Sequence, residues 1–352
     1  MGNVAIGEGA IIAGCRYYFG YPITPQNEIS EYMSRRIPAH GGAFIQSESE
    51  LAAINMVLGA AAGGGRAMTT SSSPGISLMQ EGISYIAGME IPCVIANVVR
   101  GGPGLGGIGP AQSDYFQAVK GGGHGDYHTI VLAPYNVQEM LDFTILSFDL
   151  ADKYRIPVMI LTDGLLGQTM ETVEVPLNYQ PKRYKKDWVM DGCKGRAPRR
   201  LRSLFLDPED LEDHNHRLFA KYRIIEQKEC LVDCFQTRGA LDILLVAYGT
   251  SARICKAVVE MGRKQGLRLG LFRPITLYPF DEQTLRDMAS RARAVMVVEL
   301  SMGQMLEDIR RIIGDRTPVF FKGRTGGMVF SPEEIFEEVG KTAKKIMRKT
   351  KG

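Results

Sequence analysis

The chain has 352 residues, 45% of them hydrophobic and 23% charged, with a formal net charge of +3; that length divides into two cores rather than one, and so small a charge gives no general case for nucleic acid or an acidic membrane. The 40 glycines exceed the usual share of about 7% and imply backbone work at turns and close approaches. Six cysteines at 15, 93, 193, 230, 234 and 255 contain no C-x-x-C pair, which excludes a disulfide framework or clustered zinc or iron-sulfur ligands and suits a reducing cytoplasm.

No apolar run reaches the ~18 residues that a membrane span needs. Ile12-Ala13-Gly14-Cys15 superficially resembles a lipoprotein cleavage site, but no basic residue precedes it and Glu8 interrupts the apolar segment, so neither span nor lipid anchor is expected. From residue 5 to about 175, apolar runs at 66–70, 91–99, 129–133 and 157–162 read as buried strands. Helical patterns fill 50–62, 76–88 and 136–154 between them. This alternation predicts a parallel sheet covered on both faces and a first domain at 1–178. A basic linker and helix follow at 179–238. The helix spans 207–230, with Pro208 in its first turn, and the spacing of Cys230 and Cys234 puts both on one helix side. The basic run is either a solvated connector or a surface for an acidic partner. A second α/β unit at 239–352 has strands at 241–248, 267–272, 294–299 and 319–322 and a basic terminal helix at 332–349.

Open parallel sheets bind ligands beyond the carboxyl ends of their strands, so the polar and glycine-rich loops carry the chemistry. Four stand out: Tyr21-Pro22-Ile23-Thr24-Pro25, the run Ser71 to Gly75, Arg100 to Pro110, and Gly121 to His128. Arg100, at a strand end among glycines, suits a carboxylate held by two parallel hydrogen bonds, or it caps the sheet edge. Gly104 to Gly109 also satisfies G-x-G-x-x-G, which raises a dinucleotide site. That fingerprint requires a strand passing directly into a helix, and here a long loop with Pro103 and Pro110 intervenes. Glu50 opens a helix whose face carries Ala52, Ala53 and Gly59, small enough to admit something planar or another chain. Its carboxylate either serves a ligand or only favours the helix dipole, and neighbouring Glu48 competes for any such role.

Tyr21-Pro22-Ile23-Thr24-Pro25, Gln46-Ser47-Glu48-Ser49-Glu50 with Gly59, Met68 to Gly75 and Arg100-Gly101-Gly102-Pro103-Gly104 resemble the alpha subunit of 2-oxoacid:ferredoxin oxidoreductases. Ala247-Tyr248-Gly249-Thr250, Arg273-Pro274-Ile275-Thr276-Leu277 and Glu299 to Gln304 resemble the transketolase-C-like domain of the same subunit. The resemblance implies a thiamine-diphosphate pyrimidine-binding domain followed by a smaller doubly wound domain. It implies that Glu50, nine residues before Gly59 as in the family's E-x8-G pattern, bonds the N1' nitrogen of the cofactor, and that Thr24 and Arg100 hold the substrate carboxylate. Pro22 would pack near the pyrimidine, and Ser72, Ser73, Pro74 and Gly75 would line the same crevice. His124, ending the Gly121 to His128 loop, is either catalytic or merely fixed by turn hydrogen bonds.

Family loops of this kind often read Thr-Ser-Gly-Pro-Gly. Ser73 before Pro74, together with Gly104-Leu105-Gly106, is closer to the branched-chain (3-methyl-2-oxobutanoate) type than to the 2-oxoglutarate type. The diphosphate- and Mg2+-binding Gly-Asp-Gly run is absent, Thr162-Asp163-Gly164 being the nearest approach. The resemblance therefore implies a heteromer. It implies a beta subunit holding the diphosphate and Mg2+, a gamma subunit and a small ferredoxin-like iron-sulfur subunit, with the iron-sulfur clusters on these partners, coenzyme A accepting the acyl group and ferredoxin the electrons. The alternatives are a 2-oxoglutarate:ferredoxin oxidoreductase subunit and a non-catalytic assembly module of the same fold.

Overall fold

Every residue of β4 (Cys93–Val99) and β6 (Pro157–Asp163) is buried, as continuous apolar runs must be when helices cover both faces of a parallel sheet. The structure, a computed structural model, describes residues 1–176 and 178–349. The first sheet also contains β1 (Tyr17–Gly20), β2 (Ala43–Gln46), β3 (Ala67–Ser71) and β5 (Ile130–Leu132). Around it lie α1 (Gly2–Ile12), α2 (Asn27–Ala39), α3 (Glu50–Ala62), α4 (Ser73–Gly88), α5 (Tyr115–Val119), α6 (Val137–Tyr154) and α7 (Gly164–Gln168). The glycines of α1 allow close helix contact, since a Cβ on Gly9 would stand 2.6 Å from Leu141 O in α6.

After α8 (Pro208–Lys228) and β7 (Val232–Phe235), the second unit runs β8 (Ile243–Val246), α9 (Gly249–Lys264), β9 (Leu269–Pro274), β10 (Thr276–Tyr278), α10 (Glu282–Ala289), β11 (Val295–Glu299), α11 (Gln304–Ile313), β12 (Val319–Gly323) and α12 (Pro332–Lys349). The sheet orders are β10-β5-β6-β4-β3-β1-β2 and β12-β11-β8-β9-β7. Each sheet is parallel except at one edge, where β10 pairs antiparallel with β5 and β7 antiparallel with β9. The expected α/β class with two doubly wound, mainly parallel sheets is therefore the observed one.

The expected boundaries meet two crossings. β7 lies within the stretch read as linker yet completes the second sheet, and β10 leaves the second unit to complete the first. α8 buries Leu218, Tyr222 and Ile225 against the first domain, and His214 Nε2 lies 2.7 Å from Gly88 O. The basic run is partly neutralised within the chain, with Lys186 3.0 Å from Asp152 and Lys182 3.6 Å from Asp149. Cys230 and Cys234 do not share a helix side: α8 ends at Lys228, Cys230 follows it, and Cys234 lies in β7. Cys230 only bonds back to Glu226 O at 3.2 Å. No helix among the described residues is long and apolar enough to cross a membrane.

Candidate active site

In the first sheet β2 lies on one side of β1 and β3 on the other. The loops leaving β1 and β3 therefore diverge, opening the switch-point crevice where such sheets take ligands. Four segments meet beyond these carboxyl ends: the loop after β1, the start of α3 after β2, the start of α4 after β3, and the loop after β4.

Ser49 caps α3, its Oγ accepting the Ala52 amide at 3.2 Å. This fixes Glu50 in the first helical turn, where its negative charge favours the dipole. Glu50 is only 6% exposed, and among the described residues its carboxylate has no hydrogen-bond or ion-pair partner. A buried carboxylate left so calls for a ligand that donates to it. Facing it is Gly75: a Cβ there would come within 2.5 Å of Glu50 Oε1 and would also collide with Ser71 Oγ. The Ser71 and Ser72 hydroxyls are buried and unpaired. Ser72 stands at the cap position of α4 without using its hydroxyl to cap it.

Arg100 is 7% exposed and forms no salt bridge among the described residues. Its Nη1 donates to Thr24 O and its Nη2 to Leu105 O, both at 3.1 Å, while Nε is buried and unpaired. A guanidinium carries five N–H donors, so three remain for an anion in the crevice. The Thr24 side chain is exposed beside this contact, and Pro22 is exposed on the same loop.

The loop's footing comes from residues that sequence reasoning did not single out. Gln26, fully buried, donates to Tyr21 O at 3.2 Å and accepts from Thr70 Oγ1 at 2.5 Å, while Tyr18 Oη lies 2.5 Å from Thr70 Oγ1. The available signal was a glutamine directly after Pro25, in a place that packing would otherwise give to an apolar side chain.

Two expected site residues stand elsewhere. Ser73 does not present its hydroxyl to the crevice, because that oxygen accepts from Arg100 N at 3.0 Å and donates to Arg100 O at 3.2 Å. Its amide donates to Asn97 Oδ1 at 3.1 Å, and Asn97 Nδ2 donates to Asp114 at 2.9 Å. Burial pushes the Asp114 carboxyl above its ordinary range, against the Asn97 hydrogen bond and the nearby Ser73 hydroxyl, whose single proton it shares with Arg100 O. His124 lies outside the crevice. Its loop precedes β5 and so sits at the amino edge of the sheet, where His124 O accepts from Ser84 Oγ at 2.7 Å, about three turns along α4 from the crevice. Gly59 is exposed on α3 with open space around it, while Ala53 turns into the core, so the small face is narrower than expected. The Gly101 to Gly109 loop closes on itself through Gly101 N to Gly109 O at 3.1 Å and Gly107 N to Gly101 O at 2.9 Å, and it leads into no helix. It therefore lacks the strand-to-helix turn of a dinucleotide site.

These features define a two-domain α/β chain whose first sheet offers one wall of a site for a ligand with both a proton donor and an anionic group. The family described as "Pyruvate flavodoxin/ferredoxin oxidoreductase, thiamine diP-bdg" matches residues 8–214, and "Pyruvate:ferredoxin oxidoreductase core domain II" matches residues 241–335. The chain belongs to the pyruvate flavodoxin/ferredoxin oxidoreductase family, and its first domain is that family's thiamine-diphosphate-binding domain. It is 48% identical to the ketoisovalerate oxidoreductase subunit VorB of Methanothermobacter thermautotrophicus, over 97% of each chain. It is 36% identical to the 2-oxoglutarate synthase subunit KorA of Methanothermobacter marburgensis, over 96% of this chain and 97% of that one. The solved 2-oxoglutarate:ferredoxin oxidoreductase of Magnetococcus marinus, with 2-oxoglutarate, coenzyme A and succinyl-CoA bound, superimposes with a TM-score of 0.86 at 27% identity. It covers 97% of this chain, which spans 64% of that longer one.

Proposed function

We propose that the chain is the pyrimidine-binding subunit of a heteromeric 2-oxoacid:ferredoxin oxidoreductase that converts a branched-chain 2-oxoacid, 3-methyl-2-oxobutanoate, to its acyl-CoA. The observation that carries this reading is the buried Glu50 carboxylate without a partner, facing the bare Cα of Gly75 and the unpaired Ser71 and Ser72 hydroxyls. The branched-chain choice is supported by the 48% identity to the ketoisovalerate enzyme subunit, against 36% to the 2-oxoglutarate one.

Thiamine diphosphate, when bound, supplies the nucleophilic carbon and the electron sink for decarboxylation. Glu50 would hold the cofactor by a hydrogen bond to the N1' nitrogen of its pyrimidine, and would keep a proton there. Ser71 and Ser72 offer hydroxyls to the same ring, and the missing Cβ of Gly75 leaves room for it. Pro22 and Pro74 exclude water from the ring's edge. Arg100 would bind the substrate carboxylate through a parallel pair of its remaining N–H groups, with the Thr24 hydroxyl beside it. Asp163 is engaged within the chain, so the diphosphate and Mg2+ belong to a beta subunit. The iron-sulfur clusters that pass electrons to ferredoxin would belong to partner subunits, among them a ferredoxin-like one.

The test is Glu50→Gln in the reconstituted complex, reading hydrogen–deuterium exchange at the cofactor C2. A fall of roughly 10²–10⁴-fold is expected; near-normal exchange overturns the role of Glu50. Comparing kcat/KM for 3-methyl-2-oxobutanoate and 2-oxoglutarate tests the substrate, and a preference for the dicarboxylate overturns the branched-chain assignment.

A further inference from the structure

β3 pairs with β4 as far as Ser71 opposite Asn97, and then the chain turns away into α4. Arg100, directly after β4, bridges antiparallel to Pro110 but has no strand partner left on the β3 side. Its N–H and C=O are buried with the residue, and a buried peptide group needs a partner. Both find one in the same atom, Ser73 Oγ, at 3.0 Å and 3.2 Å. On its other side β4 stays paired with β6 through Val99 opposite Asp163. The Ser73 hydroxyl thus replaces the missing strand and fixes the peptide from which the Arg100 side chain departs, while Asn97 fixes the Ser73 amide in turn.

Beyond this point the loop is closed by Gly101 N to Gly109 O at 3.1 Å and by the antiparallel bridge of Arg100 with Pro110, but neither of these engages the Arg100 N–H or C=O. Gly101 and Gly102 follow at once, and a Cβ on Gly102 would meet nothing within 4 Å. The guanidinium itself is tied only to two loop carbonyls, Thr24 O and Leu105 O. A glycine or alanine at position 73 would leave the Arg100 N–H and C=O without the partner they have in Ser73 Oγ. With its hydroxyl committed to the Arg100 peptide, Ser73 acts on Arg100 and is not a cofactor ligand.

We infer that Ser73 is a positioning residue for substrate-carboxylate recognition, acting through the Arg100 backbone. The inference rests on the reading of Arg100 as the carboxylate-binding group. It is tested in the reconstituted complex with 3-methyl-2-oxobutanoate by Ser73→Ala, Ser73→Gly and Ser73→Thr beside Arg100→Lys. The two variants without a hydroxyl are expected to raise KM roughly ten- to a hundredfold with kcat within about threefold, and Ser73→Thr to restore KM to within a few-fold. The Kd of thiamine diphosphate, read by fluorescence quenching, stays unchanged, which a merely structural defect would not allow. Glycine at 73 keeps the helix start free of any new clash if alanine disturbs it. An unchanged KM in both hydroxyl-free variants while Arg100→Lys raises it overturns the positioning role alone, as does a loss of thiamine diphosphate affinity that parallels any loss of activity. An unchanged KM in Arg100→Lys overturns the reading of Arg100 itself, and the role of Ser73 falls with it.

Discussion

Asp163 takes the Leu165 and Leu166 amides at 2.9 and 3.3 Å and the Thr250 hydroxyl of the second domain at 2.5 Å, so its carboxylate caps α7 and joins the domains. Burial still prevails over these hydrogen bonds and pushes its carboxyl above the ordinary range. In the interval from about pH 4 to the raised folded value, the native state therefore binds more protons than the unfolded chain, and stability falls as pH rises through it. Asp163→Asn should flatten that slope in melting temperature against pH, while Glu299, also raised by burial, keeps its own contribution. At Gly75 the expected effect is steric: Gly75→Ala drives a methyl against Glu50 Oε1 and Ser71 Oγ, and thiamine diphosphate affinity should fall at least tenfold, measured by titration of the complex. Glu50 and Arg100 were legible because each follows a strand-end signal that chemistry can use. The work of Ser73 was not, since a hydroxyl's partner is set by where β3 leaves the sheet. His124 stood open between a catalytic and a turn-fixed reading, and what the sequence did not show is that its loop enters β5 instead of leaving a strand, which keeps it out of the crevice.

At the scale of elements, α3 matches the expected 50–62 span, because Ser49 and Gly63 bracket an uninterrupted run of good helix formers. The short strands escaped. β1 and β2 have four residues each and β10 only three, too few for a period to show. α1 escaped for another reason: Gly2, Gly7 and Gly9 weaken its helical signal, although the close packing against α6 and α2 depends on them. The capping of α3 makes a local test. Ser49→Ala removes the bond to the Ala52 amide and should cost about 1 kcal/mol of stability. Because the same turn carries Glu50, C2 exchange should also slow by several-fold, whereas a capping change at the far end of α3 should leave it untouched.

At the scale of the whole molecule, the two domains are bound through Gln112. Its Nε2 donates to Tyr248 O at 2.8 Å, and its Oε1 accepts from Ser251 Oγ at 2.6 Å and Leu300 N at 2.8 Å, all three belonging to the second domain. Gln112→Ala strands these buried groups, each worth about 1–3 kcal/mol. Calorimetry should then show two unfolding transitions where the parent chain shows one. The division into two units was legible from strand–helix alternation, but their exchange of β10 was not, since an antiparallel edge strand carries no mark of the sheet it will join. That exchange has a consequence in time. During synthesis the edge of β5 at Leu132 emerges long before its partner Thr276, and at ordinary elongation rates the wait is on the order of ten seconds. Through that interval the nascent first domain exposes an unpaired sheet edge, so the ribosome-bound chain is the form most open to mispairing and the one a chaperone would have to shield.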